Sequence, residues 1–202
     1  INILENKHPK INKSKINIFL RFGYKSSFKN KDSFLSNIEQ LYPSENLYFI
    51  NNKLIKKKYW KIQIKKNHIY KRVEDCISDI KHSLIESLKL RLRSDVDCGF
   101  LLSGGIDSGS LVSISKKILE EKTKIYSVYD TKSVFFNEDQ NINNTLRDNN
   151  IRSNKKVYIN KINFFDELNG LTKNNTSPVL NINFLPLSKI YSNAKRNNTK
   201  VM

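Results

Sequence analysis

The fold is decided by one stretch of the chain, Phe100-Leu101-Leu102-Ser103-Gly104-Gly105-Ile106-Asp107-Ser108. Its first three residues form an apolar run of the kind that makes a short buried strand. Apolar residues at helical spacing follow over residues 108–121. A Gly-rich turn between a strand and a helix predicts that this part of the chain has an α/β fold.

The residues on both sides continue the alternation of strands and helices. Apolar spacing predicts a long helix over residues 72–93, with a stripe that we expect to pack on a core. The remaining elements are predicted as strands at 125–129 and 156–159, helices at 164–168 and 184–196, and the start of a fourth strand at 200–202. This order predicts a parallel sheet with crossover helices. Ligands bind such sheets beyond the carboxyl ends of the strands, at a switch point in strand order, and the Gly-rich turn lies in such a place.

Three shorter segments carry weaker patterns. Residues 16–24 are apolar and aromatic and fit a helix or a strand equally. Residues 47–50 and 53–55 flank Asn51-Asn52, which predicts a hairpin. Residues 138–148 have a weak helical pattern, yet residues 141–150 are rich in asparagine, which is typical of a surface loop, and both interpretations remain open.

Composition limits the partners and the compartment. The net charge is +17, from 36 Lys+Arg against 19 Asp+Glu. Because the lysines are dispersed along the whole chain, binding to nucleic acid is not expected. Cys76 and Cys98 are not paired in a metal-binding motif, so a structural metal site is not expected either. The sequence has neither a membrane-spanning run nor a visible signal peptide, which favours a cytoplasmic location.

The Gly-rich turn has the chemistry of a phosphate-binding loop. Gly104 and Gly105 allow backbone angles and a close approach that side chains would prevent. The helix that follows presents free N–H groups and the positive end of its dipole. Ser103 and Ser108 can donate hydrogen bonds to phosphate oxygens, and Asp107 fits a Mg²⁺ ion that bridges it to pyrophosphate.

Other readings of the turn are less complete. A plain strand-to-helix turn with Asp107 or Ser108 as N-cap explains one glycine and one polar residue, but not the full order of residue types. The stretch lacks the Gly-Lys-Ser/Thr of a Walker A loop and the Gly-x-Gly-x-x-Gly of a dinucleotide site.

Residues 103–108 resemble the signature of the PP-loop ATP pyrophosphatases. The wider stretch 93–108 is similar to the synthetase domain of glutamine-hydrolysing asparagine synthetases, with Asp97 where that family usually has proline. Lys58-Tyr59-Trp60 is similar to the Arg-Tyr-Trp that opens this domain. The resemblance implies that residues 1–60 are the C-terminal remnant of a glutamine amidotransferase domain and that residues 61–202 are the N-terminal part of the ATP-binding synthetase domain.

The resemblance also implies ATP and Mg²⁺ as cofactors. Ser103, Gly104, Gly105, Asp107 and Ser108 would hold the phosphates, with Asp107 on the metal. Leu102 and Val128 would contact the nucleotide, although on the residues alone they are core positions. No catalytic residue is identifiable: the family's nucleophile is an N-terminal cysteine that neither Cys76 nor Cys98 can be, and its second loop, Ser-Gly-x-Gly-x-Asp-Glu, would follow Met202. The chain begins at Ile1 rather than at methionine, so we expect a fragment.

The implied reaction is the adenylation of aspartate, followed by amidation with ammonia derived from glutamine, in an enzyme that is compatible with a homodimer. Asn175-Thr176-Ser177-Pro178 lacks the acidic pair that the family often has before proline, which leaves another small carboxylate open as the acceptor. Two alternatives remain, namely another PP-loop enzyme, such as one that modifies tRNA, and an inactive nucleotide-binding fragment.

Overall fold

The computed structural model describes residues 10–28, 30–64, 72–120, 124–130, 132, 138–174 and 177–202. The chain divides into two compact units. One is formed by Ile1–Ile69 with Gly170–Ile182, and the other by Tyr70–Asn169 with Asn183–Met202. The assignment of residues 1–60 and 61–202 to two named domains stays a prediction.

The first unit contains helix α1 (Lys13–Phe22), a 3-10 helix (Tyr24–Phe28) and the strands β1 (Glu45–Ile50) and β2 (Lys53–Lys58). Most of the segment 16–24 is therefore helical. The predicted hairpin is confirmed, because β1 and β2 pair antiparallel with Ile50 opposite Lys53. Asn51 and Asn52 have φ values of 49° and 59°, the left-handed values that a two-residue hairpin turn favours.

A buried lysine holds the residues after α1. Lys15 is 1% exposed, and its Nζ donates to the carbonyl oxygens of Ser26 at 3.4 Å and Ser27 at 3.2 Å. The same ammonium group donates to Asn30 Oδ1 at 2.8 Å. These bonds satisfy a buried charge with oxygen acceptors, as burial of a charged group requires.

From residue 72 onward, helices and strands alternate. In chain order they are α2 (Val73–Leu92), β3 (Gly99–Leu101), α3 (Ile106–Lys117), β4 (Lys124–Tyr129), α4 (Asp139–Asp148), β5 (Asn154–Tyr158), a 3-10 helix (Ile159–Lys161), α5 (Phe164–Asn174) and α6 (Phe184–Arg196).

The sheet of the second unit is parallel, with strand order β3-β4-β5. Val201 forms a parallel bridge with Cys98, and its carbonyl oxygen accepts the N–H of Gly99 at 2.8 Å. Because β4 occupies the other edge of β3, the predicted fourth strand starts on the free edge. Strand order therefore reverses at β3, and the predictions of a parallel sheet with crossover helices and of a switch point at the Gly-rich turn are confirmed.

Helices cover both faces of this sheet. One face packs under α3 and α4 through the α3/α4 cluster: Leu102, Val112, Ile125, Tyr129, Ile142 and Leu146. The other packs under α6 through the α6 cluster: Tyr126, Ile190 and Ala194. Ile125 and Tyr126 belong to different clusters because successive strand residues point to opposite faces.

Asp97, the residue that departs from the family pattern, fixes the start of the fourth strand. Its carboxylate Oδ2 accepts from Lys124 Nζ at 2.7 Å, and the same ammonium group donates to the carbonyl oxygen of Asn197 at 2.9 Å. The carbonyl oxygen of Asp97 accepts the N–H of Lys200 at 3.0 Å. Asp97 thus ties β4 and the end of α6 to the edge of β3.

Two sequence-based expectations need correction. The stripe of α2 packs as expected at Leu88, but the expectation is wrong for four exposed residues of the stripe, namely Val73, Ile77, Ile80 and Leu84. An amphipathic pattern predicts a helix with an apolar face, not what covers that face. The loop interpretation of residues 141–150 is also wrong, because α4 buries Ile142 and Leu146 against α3 and the sheet. In the part of the chain that is described, no helix has the length and apolar character needed to cross a bilayer.

Candidate functional site

The Gly-rich turn begins where β3 ends, at the carboxyl edge of the sheet. Leu102 continues the pairing of the strand, since its N–H donates to the carbonyl oxygen of Tyr126 at 2.9 Å. The Leu102 side chain is 1% exposed and belongs to the α3/α4 cluster. Ser103 is the first exposed residue of the turn. The loop therefore emerges at the switch point of the sheet.

Gly104 occupies a conformation that favours glycine. Its φ is 88°, and a Cβ atom placed on it would lie 2.8 Å from Glu138 Cβ and 2.9 Å from the Glu138 carbonyl oxygen. Gly105 differs, because its φ is −74° and an added Cβ would meet Ser103 Oγ at 3.5 Å, an ordinary contact. Of the two glycines, Gly104 is the one that the backbone of the loop requires.

The two serines of the loop bind each other. Ser108 Oγ accepts the N–H of Ser103 at 3.2 Å, lies 3.1 Å from Ser103 Oγ and donates to the carbonyl oxygen of Gly105 at 3.1 Å. The N–H of Gly105 donates to Ser103 Oγ at 3.4 Å. The first and last residues of the motif are therefore joined into a closed loop.

Helix α3 starts inside the motif. Gly105 is the N-cap residue, and no side chain of the described residues caps the helix. The alternative in which Asp107 or Ser108 is the N-cap is wrong, because both lie in the first turn. The first N–H groups of a helix have no intrahelical acceptor, so an uncapped terminus beside a glycine loop fits an anion such as phosphate.

A cavity of about 350 Å³ lies beside the loop, between the carboxyl ends of β3 and β4 and helix α6. The structure brings three of the predicted site residues to it: Leu102, Ser103 and Val128. Leu101, Tyr126, Leu187 and Ile190 add apolar walls. An apolar cavity of this size with a few polar groups beside a Gly-rich turn can hold a nucleoside. That role stays a prediction for Leu102 and Val128.

Gly104 and Gly105 line a second depression on the other side of the loop, between α3 and α4. Its remaining walls are mostly small or polar, including Ser110, Ser113 and Thr145. The loop thus separates an apolar cavity from a polar groove. The binding roles predicted for Gly104, Gly105, Asp107 and Ser108 stay predictions.

Sequence reasoning missed three acidic residues of the cavity: Asp130, Glu138 and Asp139. The N–H of Asp130, directly after β4, donates to Asp139 Oδ1 at 3.3 Å and so joins the end of the strand to the start of α4. The rule that pointed to the end of β3 applies equally to the end of β4 and would have singled out Asp130.

The donor set fits Mg²⁺ only together with phosphate. Within the described ranges, no group of three or more His, Cys, Asp or Glu side chains could hold a metal ion. Mg²⁺ typically uses one or two carboxylates and completes its shell with substrate phosphates and water, so the exposed carboxylate of Asp107 fits that mode. The described lining of the cavity contains no lysine or arginine.

The family model described as asparagine synthase matches residues 79–202. A putative glutamine-hydrolyzing asparagine synthetase 2 of Methanocaldococcus jannaschii is 30% identical over 118 residues, which is 57% of this chain and 22% of that protein. Amidase chyE of Penicillium rubens is 31% identical over 77 residues, or 37% of this chain and 12% of that protein.

A probable glutamine-hydrolyzing asparagine synthetase of Acanthamoeba polyphaga mimivirus is 43% identical over 47 residues, which is 23% of this chain and 8% of that protein. The chain therefore spans less than a quarter of the length of each of these curated relatives. Among solved structures, an NH3-dependent NAD synthetase from Campylobacter jejuni has a TM-score of 0.42 and 18% identity, with 61% of this chain and 54% of that chain covered.

Proposed function

This chain belongs to the asparagine synthase family, and we propose that it forms the ATP-binding part of a ligase that adenylates a carboxylate and then converts it to an amide. The observation that carries the proposal is the loop at residues 103–108. It joins a left-handed Gly104 and an uncapped α3 terminus to a cavity of nucleoside size. We propose ATP as the nucleotide and aspartate as the acceptor, with ammonia derived from glutamine.

The proposed roles of the residues follow from their positions. The base and ribose would lie in the cavity against Leu102 and Val128. The backbone N–H groups at the start of α3 and the hydroxyl of Ser103 would bind the phosphates and stabilise the charge that builds on departing pyrophosphate. Mg²⁺, held by Asp107 and phosphate oxygens, would supply further charge neutralisation.

Amide formation from a carboxylate needs prior adenylation, because a carboxylate is a poor electrophile and AMP is a good leaving group. The carboxylate oxygen would attack the α-phosphorus and release pyrophosphate, and ammonia would then displace AMP from the acyl carbon.

The part of the chain that lacks the family's acidic pair includes Asn175 and Thr176, which lie outside the described residues. The identity of the acceptor therefore rests on the family and is the point to test.

The test is the exchange of labelled pyrophosphate into ATP by the full-length gene product, with Mg²⁺ and with or without aspartate. We expect exchange that depends on aspartate. Asp107→Asn should reduce it by roughly 100-fold, the size of effect seen when one electrostatic contact to a transition state is lost. Asp75→Asn is the matched control, because Asp75 is also a first-turn carboxylate, on α2. Exchange that only another acid stimulates would overturn the assignment of aspartate.

A further inference from the structure

We propose that the amino edge of the parallel sheet carries a second binding site, which takes a phosphate dianion, either as the free ion or as the end of a small phosphorylated metabolite. The site is a cavity of about 560 Å³. Its described lining consists of Asp97, Cys98, Lys116, Lys124, Asn150, Ile151, Arg152 and Ser153. None of these residues lines the cavity beside the Gly-rich turn, so the inference does not depend on the proposed function.

The topology of the sheet explains why these segments meet. Asp97 and Cys98 directly precede β3, Lys124 is the first residue of β4, and Ser153 directly precedes β5. Parallel strands start at the same edge of their sheet, so the segments that lead into them converge there. Helix α3 runs back to this edge and has Lys116 in its last turn. The length of β4, six residues, separates the two cavities by roughly 15–20 Å.

The lining has an excess of positive charge, with three cationic side chains against one carboxylate. Lys124 already binds that carboxylate, because its Nζ donates to Asp97 Oδ2 at 2.7 Å and to the carbonyl oxygen of Asn197 at 2.9 Å. Lys116 and Arg152 form no salt bridge with any other described residue. The two positive charges that remain match the charge of a dianion.

The hydrogen-bonding groups of the lining suit an anion with several oxygen atoms. A guanidinium group offers a planar pair of donors that fits two oxygens of a phosphate, and an ammonium group adds further donors. The side chains of Asn150 and Ser153 can donate as well. A basic residue in the last turn of a helix also stabilises the helix terminus, which accounts for Lys116. It does not account for Arg152, which lies outside the helices and lines the same cavity.

The two cysteines of the chain allow binding to be located. The half-buried Cys98 lines the cavity, whereas Cys76 lies on α2 and serves as the internal reference. The probe is inorganic phosphate, compared with sodium chloride at the same ionic strength. The readout is the rate at which iodoacetamide alkylates each cysteine, measured by mass spectrometry. At ten times its Kd, phosphate should slow the alkylation of Cys98 roughly tenfold and leave that of Cys76 unchanged.

Substitutions test which side chains bind the anion. Arg152→Gln and Lys116→Gln should each raise the Kd for phosphate by roughly tenfold or more, as expected when a hydrogen bond between charged groups is lost. Lys117→Gln is the matched control, because Lys117 is the next residue of α3 but lines the groove between α3 and α4. Glycerol phosphate distinguishes the two sources of the dianion. Tighter binding of glycerol phosphate assigns the cavity to a phosphorylated metabolite, and tighter binding of inorganic phosphate assigns it to the free ion.

Two results would overturn the proposal. One is an alkylation rate of Cys98 that is the same in phosphate and in chloride. The other is protection of Cys98 that is undiminished in both Arg152→Gln and Lys116→Gln, because phosphate would then act from another place, such as the Gly-rich turn. These substitutions leave that turn intact, so a failure of ATP to bind there would not change the outcome at Cys98.

Discussion

Gly104 combines a left-handed backbone with a close approach to the start of α4. Both properties exclude a side chain. Gly104→Ala should therefore destabilise the second unit by about 1–2 kcal/mol through the left-handed backbone alone. The steric overlap of the new methyl group with Glu138 should add to this loss. We expect weaker ATP binding as well, because the loop must shift. Urea unfolding and calorimetry measure the two effects.

Gly105→Ala is the matched control for this substitution. Its φ of −74° is ordinary, and the nearest atom to an added Cβ is 3.5 Å away. The control should retain most of the stability and the affinity. Equal losses in the two variants would show that the loop does not depend on the conformation of Gly104.

Glu167 provides a pH-dependent contact between α5 and α6. Burial acts to raise the pKa of Glu167, but hydrogen bonds from Lys189 and Ser188 outweigh it and hold this pKa below its usual value. A carboxylate whose pKa is lower in the folded state stabilises the fold at any pH above its unfolded-state pKa. This contribution is lost as the pH falls through the folded-state pKa.

Glu167→Gln should therefore be less stable than wild type near neutral pH by about 1 kcal/mol or less. The difference should shrink as the pH falls from about 6 to about 3. Denaturant unfolding at several pH values measures it, with Glu74→Gln, an exposed carboxylate, as control. A difference that stays constant or grows in acid would contradict this account.

Part of the site could be predicted from single residues. The positions of Leu102 and Ser103 follow from a strand that ends in a Gly-rich turn, and the cavity includes both. Asp130 could have been added by the same rule, because it directly follows β4. Glu138 and Asp139 could not, because an isolated acidic residue carries no periodic signal. The bonds within the loop were also beyond sequence reasoning, since the direction of a hydroxyl depends on its neighbours in space.

At the scale of elements, strong local signals predicted the fold well. The turn chemistry of Asn51-Asn52 predicted the hairpin, and the apolar spacing of α2, α3 and α6 predicted their helices. Sequence left two interpretations open at residues 138–150, where packing decides between a helix and a loop. The asparagines of α4 favour a loop, but Ile142 and Leu146 bury one face of the segment and make it helical. Helix α2 is the opposite case. Its apolar spacing clearly predicts a buried face, but most of that stripe is exposed.

The contact between β4 and the start of the fourth strand should be measurable. Tyr126 Oη lies 2.7 Å from Thr199 Oγ1, and the two residues are 0% and 5% exposed. Tyr126→Phe and Thr199→Val should each cost about 1–3 kcal/mol, because each leaves a buried hydroxyl without its partner. The double variant should cost less than the sum of the two single variants.

Urea unfolding of the three variants gives this coupling, and Tyr191→Phe, on the exposed side of α6, is the control. Additive losses would mean that the two hydroxyls do not depend on each other. In that case the pairing of Val201 with β3 would be held by backbone bonds and by Asp97.

At the scale of the whole molecule, the two units should respond differently to nucleotide. All the described residues that line the cavity belong to the second unit. A ligand at 100 times its Kd stabilises the state that binds it by about 2.7 kcal/mol. Mg-ATP should therefore slow amide hydrogen exchange in β3, α3, β4 and α6. The amides of β1 and β2 should exchange at the same rate with and without nucleotide, and equal protection in both units would contradict a site confined to the second unit.

Lys15 gives the first unit a built-in chemical reporter. Its amine is enclosed by the oxygens of Ser26, Ser27 and Asn30, whereas Lys13 on the same helix is exposed. A brief pulse of an acylating reagent should modify Lys13 at once and reach Lys15 only during moments when the segment after α1 has opened. The rate at which Lys15 becomes acylated, read by mass spectrometry, would then count those openings directly.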